Sequence, residues 1–213
     1  MKFNLFKSIR GLFERNAAES NPLIESPENI IRKLLSDKRY NHSISVAKMC
    51  VKLSERYKLD AESAKKAYTA GILHDIMKEP EKHELQRMVE QSGFDIDSVE
   101  RHEPKLWHAI AGASYVKDVL GINDSDIINA IRFHTTARAN MSIVEKVVNI
   151  ADWISDDREF TGLEELRELA FENLDSALYS AVKMSIAKNL KKNTKIAKNT
   201  FDAYNYYCEK VSL

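Results

Sequence analysis

The chain is poor in the residues that break helices or cross-link a fold, with 6 glycines, 4 prolines and 2 cysteines among 213 residues. So few glycines and prolines, together with little alternation of β-branched residues, favour helices over a sheet. Cys50 and Cys208 stand far apart without a CxxC pair, which argues against a disulfide scaffold or a thiolate zinc site and suits a reducing cytoplasm. No apolar run approaches the roughly 20 residues of a membrane span. We therefore expect an all-α, cytoplasmic protein without a transmembrane segment.

An excess of charge of either sign is also absent, because 32 basic residues balance 32 acidic ones. No global field would draw the protein to nucleic acid, so none is expected as a partner, and an anionic ligand must be held by local groups. Glycine-rich phosphate loops and the GxSxG and HExxH motifs are missing as well. P-loop enzymes, serine hydrolases and zincin proteases therefore have no support.

The amino-terminal segment differs from the rest of the chain. Residues 1–15 place four large apolar side chains at near-helical spacing between basic ones, without the cleavage site of a signal peptide. Such a segment could associate weakly with a membrane surface or bind a partner, and the plainer alternative is a terminal helix folded onto the domain or left without order. We assign residues 1–25 to this segment and its linker, and residues 26–213 to one helical domain.

Capping patterns and apolar periodicity divide the domain into helices. A helix should begin at Ser26-Pro27, another should follow Asp60 and contain His74, and capping boxes should open helices at residues 142–145 and 161–164. The predicted spans are 27–36, 42–57, 61 to before Pro80, 81–92, 104 to before Gly121, 127–134, 143 past Asp152, and amphipathic helices from 161 to 211. Five lysines in the last part are interpreted as a solvated face: Lys188, Lys191, Lys192, Lys195 and Lys198.

One polar pair interrupts an otherwise apolar helix. His74 and Asp75 follow a run of apolar and small residues, and Lys78 comes four positions after His74, on the same face if the helix continues. A buried His or Asp must be hydrogen-bonded, paired or bound to a metal, so these two could simply satisfy each other or the backbone. Comparable polar residues interrupt other apolar faces, whereas His83 and His102 sit among charged residues and should be surface groups. The polar residues that interrupt apolar helical surfaces are His42, His74, Asp75, His108, His134 and Asp152.

Four imidazoles and two carboxylates are the donors of a metal site. Nitrogen and oxygen ligands without thiolate suit Fe, Mn, Co, Ni or Zn, and six exceed what one ion with an open position requires. We predict two ions that share a bridging carboxylate, with Asp75 as the bridge because it lies beside His74. Two such ions can lower the pKa of a shared water and clamp the oxygens of a phosphoryl group.

Four segments resemble a known family: 39–43 (RYNHS), 71–78 (GILHDIMK), 130–136 (AIRFHTT) and 151–160 (ADWISDDREF). Their order and spacing resemble the HD-domain metal-dependent phosphohydrolases, and more narrowly the YqeK-like symmetrical diadenosine tetraphosphate hydrolases. This resemblance, over about residues 34–173, implies an HD-domain helical bundle with additional C-terminal helices. It implies that diadenosine tetraphosphate, or a similar dinucleoside tetraphosphate, is cut into two nucleoside diphosphates. The metal implied is iron or a similar divalent ion, with Mn, Co, Ni, Zn and Mg as alternatives.

For the reaction, we expect the ions to activate a water that attacks an inner phosphorus. Besides Asp75, the residues expected to take part are Lys78, Arg39 and Arg158, which would neutralise phosphoryl oxygens, and Thr135 and Thr136, which would donate hydrogen bonds to them. A surface salt bridge is the alternative for each basic residue. Two other functions stay open: hydrolysis of another nucleotide or phosphoester, and a non-catalytic metal-binding sensor or scaffold. The oligomeric state is left open, a dimer included.

The chain departs from the family pattern at two places. Ser155 and Asp156 stand where the family usually has Glu-Pro, and Ala137 stands where Gly usually follows the two threonines. Neither change touches a predicted ligand. Both are expected to alter the pocket wall and hence the preferred substrate.

Overall fold

A computed structural model describes residues 25–211, which form eleven helices and no strand. The all-α prediction is confirmed, whereas the predicted amphipathic segment at residues 1–15 lies outside the described residues. None of the helices between residues 25 and 211 has the length and apolar character of a membrane span. The helices are α1 (Pro27–Leu34), α2 (Asp37–Arg56), α3 (Ala61–Leu73), α4 (Lys82–Gln91), α5 (Ser98–His102), α6 (Pro104–Asp118), α7 (Ser125–Phe133), α8 (Ile143–Ile154), α9 (Leu163–Glu172), α10 (Leu174–Lys191) and α11 (Lys198–Val211).

Most helix starts follow from residues within the first turn. The hydroxyl of Ser26 accepts the Asn29 N–H with proline at the first helical position of α1, and Ser142 and Glu145 form the predicted capping box of α8. The capping box predicted at 161–164 is wrong, because α9 begins after Gly162, whose φ of 88° is left-handed and which offers no side-chain cap. The start predicted for α2 is also wrong: the helix begins five residues before His42.

The end of α3 differs from the prediction in a way that shapes the site. The helix stops at Leu73, and His74 to Lys78 follow as tight turns. The His74 ring donates to the Gly71 carbonyl at 2.8 Å, and the N–H groups of Ile76 and Lys78 donate to carbonyls only three residues back. Lys78 is therefore not one helical turn beyond His74, and the expectation that they share a helix face is wrong. The turns instead point the side chains of this segment into the bundle.

Helices α2, α3, α7 and α8 surround a core of aliphatic side chains, and α10 joins the C-terminal helices to it by packing on α8. α2 and α3 approach closely at Gly71. A Cβ placed there would lie 2.9 Å from the sulfur of Cys50 and 3.2 Å from the Cα of Ala47. The glycine is thus required by the contact of the two helices and not by its backbone conformation.

Gly71→Ala is expected to destabilise the protein by about 1–3 kcal/mol, because the added methyl group must displace the α2 backbone in a packed core. The measurement is urea unfolding followed by circular dichroism. Gly112→Ala is the matched control: its Cβ would meet Ile131 and Ile76 at 3.4 and 3.5 Å, which are ordinary contacts. That variant should be neutral or gain up to about 1 kcal/mol from the higher helix propensity of alanine. Equal effects of the two substitutions would contradict the close approach at Gly71.

A short helix, α5, lies between residues 92 and 104, where we predicted no helix. In α5, Asp97 and Glu100 form a capping box, and the fully buried Glu100 pairs with the equally buried Arg132 of α7 at 2.8 Å. His102 is exposed at the end of this helix and His83 is exposed in α4, as expected. The ion pair joins α5 to the helix that immediately precedes His134.

Candidate metal centre

Six polar side chains from five parts of the bundle converge at one buried point. His42 comes from α2, His108 from α6 and Asp152 from α8, while His74 with Asp75, and separately His134, occupy the turns that follow α3 and α7. The centroids of neighbouring imidazole rings lie 5.0–5.2 Å apart. All six residues that the sequence singled out as candidate ligands are therefore brought together.

Asp75 stands at the centre of this group, and its two carboxylate oxygens face different pairs of imidazoles. Oδ2 lies 3.9 Å from Nε2 of His42 and 3.7 Å from Nε2 of His74. Oδ1 lies 3.3 Å from Nε2 of His108 and 3.6 Å from Nε2 of His134. One carboxylate thus separates the donors into two sets, which is the arrangement of a bridging ligand between two cations.

Grouping the donor atoms by proximity also gives two sets, and they overlap at His74. The atoms of His42, His74 and Asp152 lie within 4.8 Å of one another, and so do those of His74, Asp75 and His134. The tautomers of two of these rings suit cation binding. His74 and His134 each donate Nδ1–H to a backbone carbonyl, of Gly71 and Ile131 respectively. Their Nε2 lone pairs therefore point into the centre, free to bind a cation.

Hydrogen bonding within the protein does not satisfy this centre. Nε2 of His74 and Oδ1 of Asp75 are buried and have no hydrogen-bond partner among the described residues, although Lys78 Nζ lies 3.2 Å from that oxygen. Nε2 of His108 faces Nε2 of His134 at 3.2 Å while Lys78 Nζ lies 2.9 Å away. With Nε2 of His108 accepting a hydrogen bond from Lys78 and His134 carrying its proton on Nδ1, neither Nε2 atom can donate to the other, so two acceptors face each other. Buried acceptors without donors are costly, and metal cations between them would compensate that cost, so the donor set fits the predicted ions.

The protonation states of His74, His108 and Asp75 suit metal binding at neutral pH, whereas for His42 burial opposes the protonated form but the Asp152 carboxylate raises the pKa above its ordinary value. Burial lowers the pKa of His74 to about 4, and burial with the nearby Lys78 ammonium lowers the pKa of His108 well below its ordinary value. Burial alone would raise the pKa of the Asp75 carboxyl, but the charges of His74 and Lys78 hold it well below its ordinary value. Neutral imidazoles and an ionised carboxylate are the forms that a metal ion requires.

Three basic residues that the sequence assigned to substrate contacts reach this centre by different routes. Arg39 donates to Asp75 at 3.1 Å from one turn before His42. Lys78 lies between Asp75 and His108. Arg158 forms a short ion pair with Asp152. Each of the three pairs with a carboxylate of the buried cluster, and their contact with a substrate stays a prediction.

Asp157 is a further site residue, to which the sequence argument assigned no role. Its carboxylate lies 2.7 Å from Nδ1 of His42 and also accepts the Ser155 hydroxyl at 2.8 Å. A carboxylate behind a ligating imidazole fixes the ring and its tautomer. Only the position of Asp157 within the 151–160 segment could have suggested it, since 115 residues separate it from His42.

The departures from the family pattern have local explanations. Ser155 supports Asp157, whereas Asp156 is exposed and pairs with Lys52 at 3.1 Å, outside the cavity lining. Ala137 adopts a left-handed φ of 54°, a conformation in which glycine has no steric cost. The usual glycine at that position is therefore explained by the backbone, and the expected effect of these residues on substrate choice stays a prediction.

A cavity of about 940 Å³ opens beside the cluster. Lys78, Arg158, Thr135 and Thr136 line it, and both threonine hydroxyls are buried without a hydrogen-bond partner among the described residues. Arg39 does not line it. Two half-buried aromatic residues, Trp153 and Phe160, lie in an edge-to-face pair on the wall, with ring centroids 5.8 Å apart, and the turn that follows α10 forms another part of the wall.

Known proteins resemble this chain in sequence and in fold. Residues 39–157 match the HD domain family. A Bacillus subtilis protein named bis(5'-nucleosyl)-tetraphosphatase, symmetrical, is 36% identical over 83% of this chain and 92% of its own. A Staphylococcus aureus protein of the same name is 32% identical over 86% of this chain and 94% of its own. A solved Clostridium acetobutylicum chain, described as a predicted HD superfamily hydrolase involved in NAD metabolism, superposes with a TM-score of 0.80 at 35% identity, over 86% of this chain and 96% of its own.

Proposed function

Because the chain belongs to the HD domain family and matches symmetrical bis(5'-nucleosyl)-tetraphosphatases over most of its length, we propose that it cuts dinucleoside tetraphosphates symmetrically. Diadenosine tetraphosphate would yield two ADP. The observation that supports this function is the convergence of four imidazoles and two carboxylates beside a large cavity with basic walls.

The metal ligands in this proposal follow the two faces of Asp75. His42, His74 and Asp152 would hold one ion on the Oδ2 side, and His108 and His134 would hold a second on the Oδ1 side, with Asp75 as the bridge. Iron is the favoured metal, with Mn, Co, Ni, Zn or Mg as alternatives. Bound there, the metal would supply an activated water and neutralise charge that develops on phosphoryl oxygens.

The remaining residues would orient the ligands and the substrate. Arg39 donates to Asp75 and does not line the cavity, so we assign it to holding that carboxylate and not to the substrate. Lys78 and Arg158 line the cavity and can form charge-assisted hydrogen bonds with phosphoryl oxygens. Thr135 and Thr136 have hydroxyl groups without partners among the described residues, so they are available to donate to the same oxygens.

The leaving group and the cavity fit this chemistry. A nucleoside diphosphate is a weak base, so its departure needs charge neutralisation more than a strong general acid. A volume of about 940 Å³ is near the upper end of the roughly 300–1,000 Å³ typical of small-molecule sites. An elongated dinucleotide needs such a volume, and the Trp153–Phe160 pair offers a surface for a base.

Incubation with diadenosine tetraphosphate is expected to yield two ADP per substrate, measured by ion-exchange chromatography. In ¹⁸O-labelled water, one of the two ADP molecules should gain one label on its β-phosphate, because water attacks an inner phosphorus. Protein stripped of metal by a chelator is the control and should lose activity until a divalent ion is restored.

Other products would point to the alternatives. ATP with AMP would contradict symmetrical cleavage. Turnover of another nucleotide or phosphoester in place of diadenosine tetraphosphate would keep the hydrolase and change its substrate. A protein that binds metal but hydrolyses no phosphoester would be a sensor or scaffold.

A further inference from the structure

One wall of the cavity consists of lysines that the sequence suggested were a solvated face. Lys188 and Lys191 of α10, its cap Lys192, and Lys195 in the following turn all line the cavity that also contacts His108, His134 and Asp152. We call these four residues the lysine cluster. Lys198, the fifth residue of the predicted face, does not line the cavity. The lysine cluster is distant in sequence from the candidate metal ligands but lines the same cavity.

The lysine cluster forms no ion pair within the part of the chain that the structure describes. All four side chains are exposed, and none forms an ion pair or side-chain hydrogen bond there. The other lysines of the last two helices are different. Lys198 pairs with Asp202 at 2.5 Å, Lys210 pairs with Asp175 at 3.9 Å, and Lys183 lies over the Tyr179 ring at 4.4 Å. The unpaired lysines are therefore those that face the cavity.

The charge balance of the cavity contrasts with that of the whole chain. Seven basic and three acidic side chains are among its described lining residues, although the complete chain has 32 of each. Unpaired like charges repel one another, and a bound anion would reduce this repulsion. This excess of positive charge suits a polyanionic ligand such as a tetraphosphate bridge.

Two hydrogen bonds fix the start of α11, which follows the lysine cluster, to other parts of the bundle. The hydroxyl of Thr200 in α11 donates to the carbonyl of Thr136 at 2.9 Å. The backbone N–H of Lys198, where α11 begins, donates to the Asp97 carboxylate at 2.7 Å. The turn between α10 and α11 is thus anchored beside the threonines that we assign to the scissile phosphate.

We propose that the lysine cluster is a second phosphate subsite, which binds the half of the polyphosphate bridge that departs as a nucleoside diphosphate. This inference rests on the proposed function. The metal centre and its nearby cations account for the phosphorus under attack, and the other half of the bridge needs its own positive charges. Lysine ammonium groups on flexible stems suit this task, because they neutralise a mobile polyphosphate without imposing one geometry. The subsite favours a four-phosphate bridge over a mononucleotide.

The test compares two triple variants with the same change in charge. The first, Lys188→Gln/Lys192→Gln/Lys195→Gln, removes cavity lysines, and the second, Lys183→Gln/Lys198→Gln/Lys210→Gln, removes lysines of the same helices outside the cavity. Binding of a methylene-bridged, non-hydrolysable analogue of diadenosine tetraphosphate is measured by calorimetry on the full-length, metal-loaded protein at several salt concentrations. Thermal unfolding establishes that both variants are folded.

The cavity variant is expected to bind the analogue about 10- to 100-fold more weakly than the parent, and the control variant within about 2-fold. The slope of log Kd against log salt should fall for the cavity variant alone, because ionic contacts between lysines and the phosphates of the bridge are lost. Its KM for diadenosine tetraphosphate should rise while kcat stays within about 3-fold of the parent.

Failure of this inference is distinct from failure of the proposed function. If the parent makes two ADP but the two triple variants bind the analogue equally and with equal salt slopes, the second subsite is wrong. If the parent makes no ADP, but the cavity variant binds the analogue more weakly than the parent and the control variant does not, the subsite stands and the proposed reaction is wrong.

Discussion

Replacing Asp75 with Asn is expected to abolish both metal binding and hydrolysis. The substitution keeps the shape of the side chain but removes the charge that faces four imidazole nitrogens at 3.3–3.9 Å. Removal of one electrostatic stabilising group from an active site commonly costs about 10²–10³ in rate, and the loss of a bridging ligand should cost at least as much. Elemental analysis of the purified protein and the rate of ADP formation are the two measurements.

The expected metal content distinguishes the bridging role from an ordinary ligand role. The parent should contain about two ions per chain, and Asp75→Asn should retain fewer than one, because both sets of donors share this carboxylate. Asp156→Asn is the matched control, since that exposed carboxylate is near the site in sequence but, among residues 25–211, pairs only with Lys52. A variant of Asp75 that keeps full metal content and activity would refute the two-ion centre.

Replacing Glu100 with Ala is expected to cause the largest loss of stability outside the metal centre, about 3–5 kcal/mol. Glu100 and Arg132 are 1% and 2% exposed, so truncation leaves a guanidinium buried without its counter-charge. The carboxylate also accepts the Asp97 N–H in the capping box of α5 and lies near the Asn199 amide of α11. Urea unfolding of metal-free protein measures the effect without the contribution of bound ions.

A double-mutant cycle tests whether charge burial is the cause. Arg132→Met should rescue part of the loss, so the double variant is expected to be more stable than the sum of the single effects predicts, by roughly 1–3 kcal/mol. Asp156→Ala, which removes an exposed ion pair, should change stability by less than about 0.5 kcal/mol. Strict additivity of Glu100→Ala and Arg132→Met would contradict the pairing.

Capping residues made much of the helical pattern predictable. Ser26 and the Ser142–Glu145 pair act within three residues of themselves, so their effect can be inferred without knowing the fold. The failures have equally local causes. At the start of α9, Gly162 has a left-handed backbone and takes the cap position that we expected a threonine to hold. At the end of α3, the His74 ring donates to the Gly71 carbonyl at the point where we expected the helix to continue.

The candidate ligands were identifiable because each one interrupts an apolar helical surface, where a polar group needs a partner. Their convergence depends on packing, since α2 and α8 contribute residues more than 100 positions apart to one cluster. Asp157 shows the limit of this argument. It is an acidic residue in an exposed acidic stretch, and only its position behind His42 gives it a role.

The sequence by itself determined the helical class, most helix starts and the chemical identity of the donor set, because these depend on neighbouring residues and on side-chain chemistry. Tertiary structure alone decided which oxygen of Asp75 faces which imidazoles, and that the lysine cluster lines the same cavity. Both follow from how helices distant in sequence pack. A charged side chain has the same sequence signature whether it faces open solvent or a chamber that can hold a polyphosphate.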